Sequence, residues 1–170
     1  IDTAYYLVHS MGASSDFAEL DRAGARHFGE AARAAGVRRI VYLGGLIPAH
    51  PRSEHLRSRA ETGDVLRASG VPVTELRAGM IIGPGSAAYE VIRDLVNHLP
   101  LMVTPKWVQS KSSPIALSNL LVYLQRVATM PEAAGQILDA GGPDYFSYET
   151  MMRQFGEVVG RHPRIIRVPV

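Results

Sequence analysis

A chain of 170 residues with 46% apolar composition is long enough to bury one sizeable core with a small lobe beside it. Its 18 basic and 16 acidic residues leave a net charge of +2, too small and too scattered for a nucleic-acid footprint. Cysteine is absent, which removes disulfides, thiolate metal sites and thiol nucleophiles together. No apolar run approaches the ~20 residues that span a bilayer and the start reads without a secretory leader, so a cytoplasmic location and no membrane partner are expected.

Thr3 to Val8 is rich in aromatic and β-branched residues and runs into His9-Ser10-Met11-Gly12, a strand followed by a loop. Asp16 opens a helical pattern through Phe17, Leu20, Ala23, His27, Phe28 and Ala31 that Gly36 ends as a C-terminal glycine. Arg39 to Leu43 is a second apolar strand, followed by a glycine- and proline-punctuated loop from Gly44 to Pro51. A second helix is expected from about Glu54 to Ala68, and the chain extends again over Val71 to Arg77. Strand and helix alternating at this spacing predict parallel crossover units. The loops after Val8, Leu43 and Leu76 then meet at one sheet edge, where ligands bind in open α/β folds.

Beyond Met80 the pattern changes. Ser86 is a candidate N-cap for a helix over about Ala87 to Asn97. One or two short strands are expected between Pro100 and Pro114, a helix over Ala116 to Ala128, a strand over Gln136 to Ala140, a helix from Ser147 to Val159 and an extended tail from Arg164 to Val168. Residues 1–82 read as the sheet-and-helix core and residues 83–170 as a mixed lobe.

Several stretches resemble a known group. Ala31-Ala32-Arg33-Ala34-Ala35-Gly36-Val37-Arg38-Arg39-Ile40-Val41-Tyr42-Leu43, then Leu66 to Thr74, Leu76-Arg77, Ile82-Gly83-Pro84-Gly85, Pro114-Ile115-Ala116 and Gly141-Gly142-Pro143 are similar to segments of the atypical and extended short-chain dehydrogenase/reductases. Within that group they come nearest to NmrA-like and nucleoside-diphosphate-sugar epimerase-like proteins. The resemblance implies a partial doubly wound, Rossmann-like parallel sheet with a small C-terminal mixed lobe. It also implies that the first strands and their glycine-rich phosphate turn are absent from this sequence, a piece of a longer protein. NAD or NADP binding is then expected only together with that segment, and choice between the two dinucleotides stays open.

The same resemblance places His55 and Arg59 where the family carries its Tyr-x-x-x-Lys pair. A spacing of four keeps both on one helix face. An imidazole exchanges protons at neutral pH without the large shift a phenol requires, whereas a guanidinium stays charged and can only bind, here the nicotinamide ribose. His55 and Arg59 are therefore the candidate catalytic residues. The family's serine falls at Gly44 or Gly45, so its hydroxyl is lost. Candidate cofactor contacts are His9, Ser10 and Gly12 after the first strand, Gly44 and Gly45 after the second, Arg59, and Ala78 and Gly79 after the third.

Ser53 and Ser58 are nearby hydroxyls that could substitute for the lost one, and by default they read as capping and surface residues. Gly83-Pro84-Gly85-Ser86 reads as a capped helix start before a phosphate cradle. His50, Glu54 and His55 lack regular ligand spacing, so no metal is expected. Tyr145, Phe146, Tyr148, Met151, Met152 and Phe155 read as core or as the lining of a pocket. Two functions follow: an NAD(P)-binding oxidoreductase or epimerase-like enzyme with an altered catalytic pair, or a catalytically inactive NAD(P)-binding sensor of NmrA-like type. Substrate and oligomeric state are left open.

Overall fold

The computed structural model describes residues 1–10, 16–48 and 53–168. It divides into two compact units, one of Ile1–Ala78 with Leu121–Ala140 and one of Gly79–Leu120 with Gly141–Val170.

The first unit is built on β1 (Thr3–Tyr6), α1 (Phe17–Ala34), β2 (Arg39–Gly45), α2 (Glu54–Ala68), β3 (Val73–Ala78) and, after intervening elements, β8 (Ile137–Ala140). The four strands form one sheet in the order β1-β2-β3-β8, and every pairing is parallel. This is the partial Rossmann-like sheet. Because the strands run one way, the chain leaves β1, β2 and β3 at the same edge, with Gly45 opposite Ala78 and Ala78 opposite Ala140.

Small residues let the helices approach closely. The buried positions of α1 are Asp21, Ala25, Gly29 and Ala32, one stripe at helical spacing, and those of α2 are Ser58, Thr62, Gly63 and Leu66. A Cβ at Gly29 would lie 2.8 Å from the Ser69 Cβ, closer than packed carbons come. The apolar core of this unit gathers Tyr6, Ala25, Ala32, Val37, Ile40, Tyr42, Leu66, Val71 and Val73. Gly36 holds a φ of 67° just past α1, the left-handed turn that glycine takes without steric cost.

A carboxylate lies inside this core. Glu75, on β3, is fully buried; it accepts from Arg67 Nη1 at 2.5 Å and from Arg77 Nε at 2.7 Å. Glycines make the room: a Cβ at Gly63 would come within 2.6 Å of its Oε2, and one at Gly44 within 3.1 Å of its Oε1.

The second unit carries β4 (Ile81–Ile82), α3 (Ala87–His98), β5 (Leu101–Thr104), a 3-10 turn at Lys106–Gln109, β6 (Lys111–Ser112), β7 (Ile115–Ala116), β9 (Phe146–Ser147), α5 (Tyr148–Val159) and β10 (Arg164–Arg167). Its strands pair as β4 with β7 and β5 with β10, both parallel, and β6 with β9, antiparallel. The unit boundary falls inside α4 (Leu117–Val127). Met80, Ile92, Val96, Met102, Val108, Met151 and Met152 form the apolar core. Glu149 is its buried carboxylate, met by Gln109 Nε2 at 2.6 Å and by Arg153 and Arg167 at 2.9 Å.

The expected single division near Ile82 differs from this arrangement. The first unit ends at Ala78 and takes up the chain again at Leu121, because β8 completes its sheet beside β3. No described helix is long and apolar enough to cross a membrane.

Candidate active site

The described sequence candidates of the first unit lie at the edge where β1, β2 and β3 end. His55 is the second residue of α2, and Arg59 follows one turn later. Burial, reinforced by the neighbouring His9 and Arg59 and partly offset by Asp21, holds the His55 imidazole below its ordinary value. Together these influences favour the neutral form of His55. Its Nδ1 is buried and has no hydrogen-bond partner among the described residues.

Arg59 is drawn inward onto β2. Its Nη2 donates to the Leu43 carbonyl at 2.9 Å, while the Tyr42 hydroxyl donates to the Arg59 carbonyl at 3.0 Å. The two bonds run in opposite directions and clamp the start of α2 to the strand. Arg59 Nε is buried without a partner among the described residues. Tyr42 is no substitute for the absent catalytic phenol, since burial pushes it up to about 12, with Arg59 lowering and Glu75 raising it.

His9 and Ser10 meet a residue that the sequence reading did not select. Asp21, only 3% exposed, accepts from the Ser10 backbone N–H at 2.9 Å, from the Ser58 hydroxyl at 3.1 Å and from His9 Nδ1 at 3.3 Å. Burial alone would raise this carboxyl. Hydrogen bonds from the Ser10 side chain and backbone and from Ser58, with the charge of His9, outweigh it and leave the carboxyl below its ordinary value. The His9 ring packs on the His55 ring with centroids 4.7 Å apart and planes inclined by 46°. Its Nε2 is buried and unpartnered among the described residues.

Four first-unit side chains thus come together: His9, Asp21, His55 and Ser58. Ser58 is buried and bonded rather than a surface residue, because position 58 faces α1 one turn along from His55. Ser53 sits at the N-cap of α2 and makes no side-chain capping bond. A signal for Asp21 was present in the sequence. It stands in register with Ala25, Gly29 and Ala32 on the buried stripe of α1, and a carboxylate there needs partners.

Other candidates have different surroundings. The space over Gly44 is taken by Glu75, and a Cβ at Gly45 would lie 3.4 Å from Arg59 Nε. Ala78 is buried, and its carbonyl accepts from the Leu46 N–H at 2.9 Å. Gly79 follows β3 at the start of the second unit. Gly12 and His50 lie outside the described residues. Among the described residues, no group of three or more His, Asp or Glu is placed to hold a metal ion.

In the second unit, Ser86 caps α3 by accepting from the Tyr89 N–H at 3.5 Å, and the Gly85 N–H donates to Glu90 at 3.1 Å. The loop amides considered for a phosphate are thus engaged by the chain itself. This unit also has a pocket of about 470 Å³, partly open to solvent and lined by residues that include Ile92, Leu95, Met102, Trp107, Tyr148 and Met152. Tyr148 and Met152 come from the segment read as core or pocket. Tyr145 is exposed instead.

No family model matches the chain. A curated relative, the ceramide reductase of Caulobacter vibrioides, is 28% identical over 157 residues, which cover 90% of this chain and 48% of that protein. Among solved structures, MoeE5 in complex with UDP-glucose and NAD is similar over 100% of this chain and 66% of its own, with a TM-score of 0.80 at 16% identity. The UDP-glucose 4-epimerase of Thermotoga maritima, solved with UDP-glucose, is similar over 99% of this chain and 64% of its own, with a TM-score of 0.77 at 12% identity. The chain spans about half the length of the curated relative and about two thirds of these solved structures. The chain shares the fold of these solved structures over a portion of their length.

Proposed function

We propose that this chain belongs to an NAD(P)-dependent oxidoreductase or epimerase-like enzyme in which His55 stands where the family's phenol acts. The observation that carries the reading is His55 itself: a part-buried imidazole held toward its neutral form, with Nδ1 unpartnered among the described residues, one helical turn from a guanidinium, at the edge where the parallel strands end. Buried polar atoms without partners are rare in folded chains, and each calls for an explanation.

The residues fit a nicotinamide nucleoside. His9 Nε2, His55 Nδ1 and Arg59 Nε are buried hydrogen-bonding atoms without partners among the described residues, a set suited to hydroxyl and carbonyl oxygens. Arg59 would hold a ribose hydroxyl through Nε while Nη2 stays on Leu43. A bound nicotinamide supplies or accepts a hydride. In the oxidising direction neutral His55 takes the accompanying proton from the substrate hydroxyl, becoming an imidazolium that returns it in the reverse direction. Tyr42 keeps α2 in place by its bond to the Arg59 carbonyl.

The substrate carries an apolar portion. One observation supports this: the curated relative is a reductase of ceramide, a long-chain lipid. A second reading, an NAD(P)-binding regulator without catalysis, draws support from the attachment of Arg59 to Leu43 and from Gly44 and Gly45, which offer no hydroxyl.

The test is the oxidation of NADH and NADPH by the full-length protein with long-chain ketones and, separately, nucleotide sugars. His55→Ala is expected to abolish turnover, and Arg59→Ala mainly to weaken dinucleotide affinity. Unchanged turnover in both variants removes the pair from the mechanism, and dinucleotide binding without turnover on either substrate class favours the regulator.

A further inference from the structure

We propose that His9 is a second proton-holding residue of this site, with Asp21 as its positioning residue, and that the first proton taken up by the His9–His55 pair resides on His9. The inference rests on the reading of this edge as a proton-handling site and assigns the proton within it.

The argument begins at Asp21. An ionised carboxylate only accepts hydrogen bonds, and Asp21 is ionised at neutral pH, already receiving the Ser10 N–H and the Ser58 hydroxyl. His9 Nδ1 at 3.3 Å from Oδ2 must therefore carry the hydrogen. In the neutral ring this leaves Nε2 as the lone-pair nitrogen. That atom is buried with no partner among the described residues, so it is available to a ligand atom. On protonation Nε2 becomes a donor, and the carboxylate at the far side of the ring balances the charge.

His55 has no such support. Among the described residues no carboxylate bonds to it and its Nδ1 is unpartnered, and its ring lies against His9. The charges acting on His55 are those of His9, of Arg59 from α2 and of Asp21 from α1, and Asp21 is also the bonded partner of His9. Asp21 is bonded to His9, whereas the positive charge of Arg59 opposes protonation of His55. Two imidazolium rings in contact repel each other, so the pair takes up one proton before the second. The balance is that of a simple transfer: a proton leaves Nε2 of His9 as a substrate oxygen gains it, and Nδ1–H remains on Asp21 throughout.

This differs from the role the sequence suggests for His9, a contact to the cofactor. It also explains why a buried aspartate is kept on the small-residue stripe of α1, where a further alanine would pack without any polar demand.

Two-bond 1H–15N correlation spectra of the full-length protein with 15N-labelled histidine, recorded from pH 5 to 9, test the assignment without ligand and without turnover. The expected result is a His9 ring in the Nδ1–H form at high pH, with His9 changing before His55 as pH falls. In Asp21→Asn the Nδ1–H preference should fall by about tenfold or more, as expected from loss of an adjacent charge. A His9 ring in the Nε2–H form, or a first proton on His55, overturns the proposal, as does an unaltered tautomer in Asp21→Asn. The wild-type spectra decide the matter even if Asp21→Asn does not fold. An inactive protein with these spectra overturns the enzymatic reading and leaves the proton assignment standing.

Discussion

Removing the charge of Glu75 should destabilise the first unit in a way that depends on its arginines. The carboxylate is 0% exposed, and the side chains of Arg67 and Arg77 are 29% and 22% exposed. At an effective dielectric of ~20, a pair of unit charges 4 Å apart gains ~4 kcal/mol, and desolvating a buried ion costs several kcal/mol. The net contribution of the intact cluster is therefore small. Breaking it is costly, because one removal leaves the other charges uncompensated; Glu75→Gln is expected to cost about 3 kcal/mol, the low end of the range for a broken buried pair, since both arginines can turn toward water. In a domain of this size that lowers Tm by about 6–12 °C. Arg67→Ala should cost less, because Arg77 still neutralises the carboxylate. The double variant should fall short of the summed single losses by ~1 kcal/mol or more, the coupling found for residues in one network. Urea denaturation of the four proteins measures all three quantities, and additivity within about 0.5 kcal/mol would refute the reasoning.

Gly63→Ala should destabilise by about 1–3 kcal/mol despite the better helix propensity of alanine, because the new Cβ would meet the pinned Glu75 Oε2 at 2.6 Å; a gain in denaturation midpoint would show that the carboxylate can move aside. Tyr42→Phe removes the bond to the Arg59 carbonyl and should cost about 1 kcal/mol, read as a lower urea midpoint, with no change expected if that bond is not formed. The lowered His55 value has a defined sign: the unfolded chain binds the proton more readily, so this contribution to stability is complete above the unfolded value of ~6.5 and is lost as pH falls from there through the folded value. His9→Gln should move the His55 NMR midpoint up and Asp21→Asn should move it down, since the first removes a positive neighbour and the second a negative one; shifts of the opposite sign would contradict the contacts.

Local signals carried most of the architecture. The alternation of apolar strands with alanine-rich helices announced the parallel sheet, and Gly36, Ser86 and Ser147 marked helix ends where they occur. The two-residue strands β4, β7 and β9 were not legible, because they are held by partners distant in sequence rather than by a pattern of their own. The site was legible in part. The family resemblance pointed to His55 and Arg59, and spacing put them on one helix face, but neither showed that Arg59 turns onto Leu43, nor that Gly44 makes room for Glu75. Asp21 and Ser58 escaped for a related reason: their bond joins two helices 37 positions apart, and residue type alone makes a helix aspartate look solvated.

Calorimetric titration of NADH and NADPH into the full-length protein, wild type beside Arg59→Ala, tests the central claim most directly. The account predicts saturable binding of one dinucleotide per chain, weakened when Arg59 is removed. Absence of binding by either dinucleotide to the folded protein would contradict it.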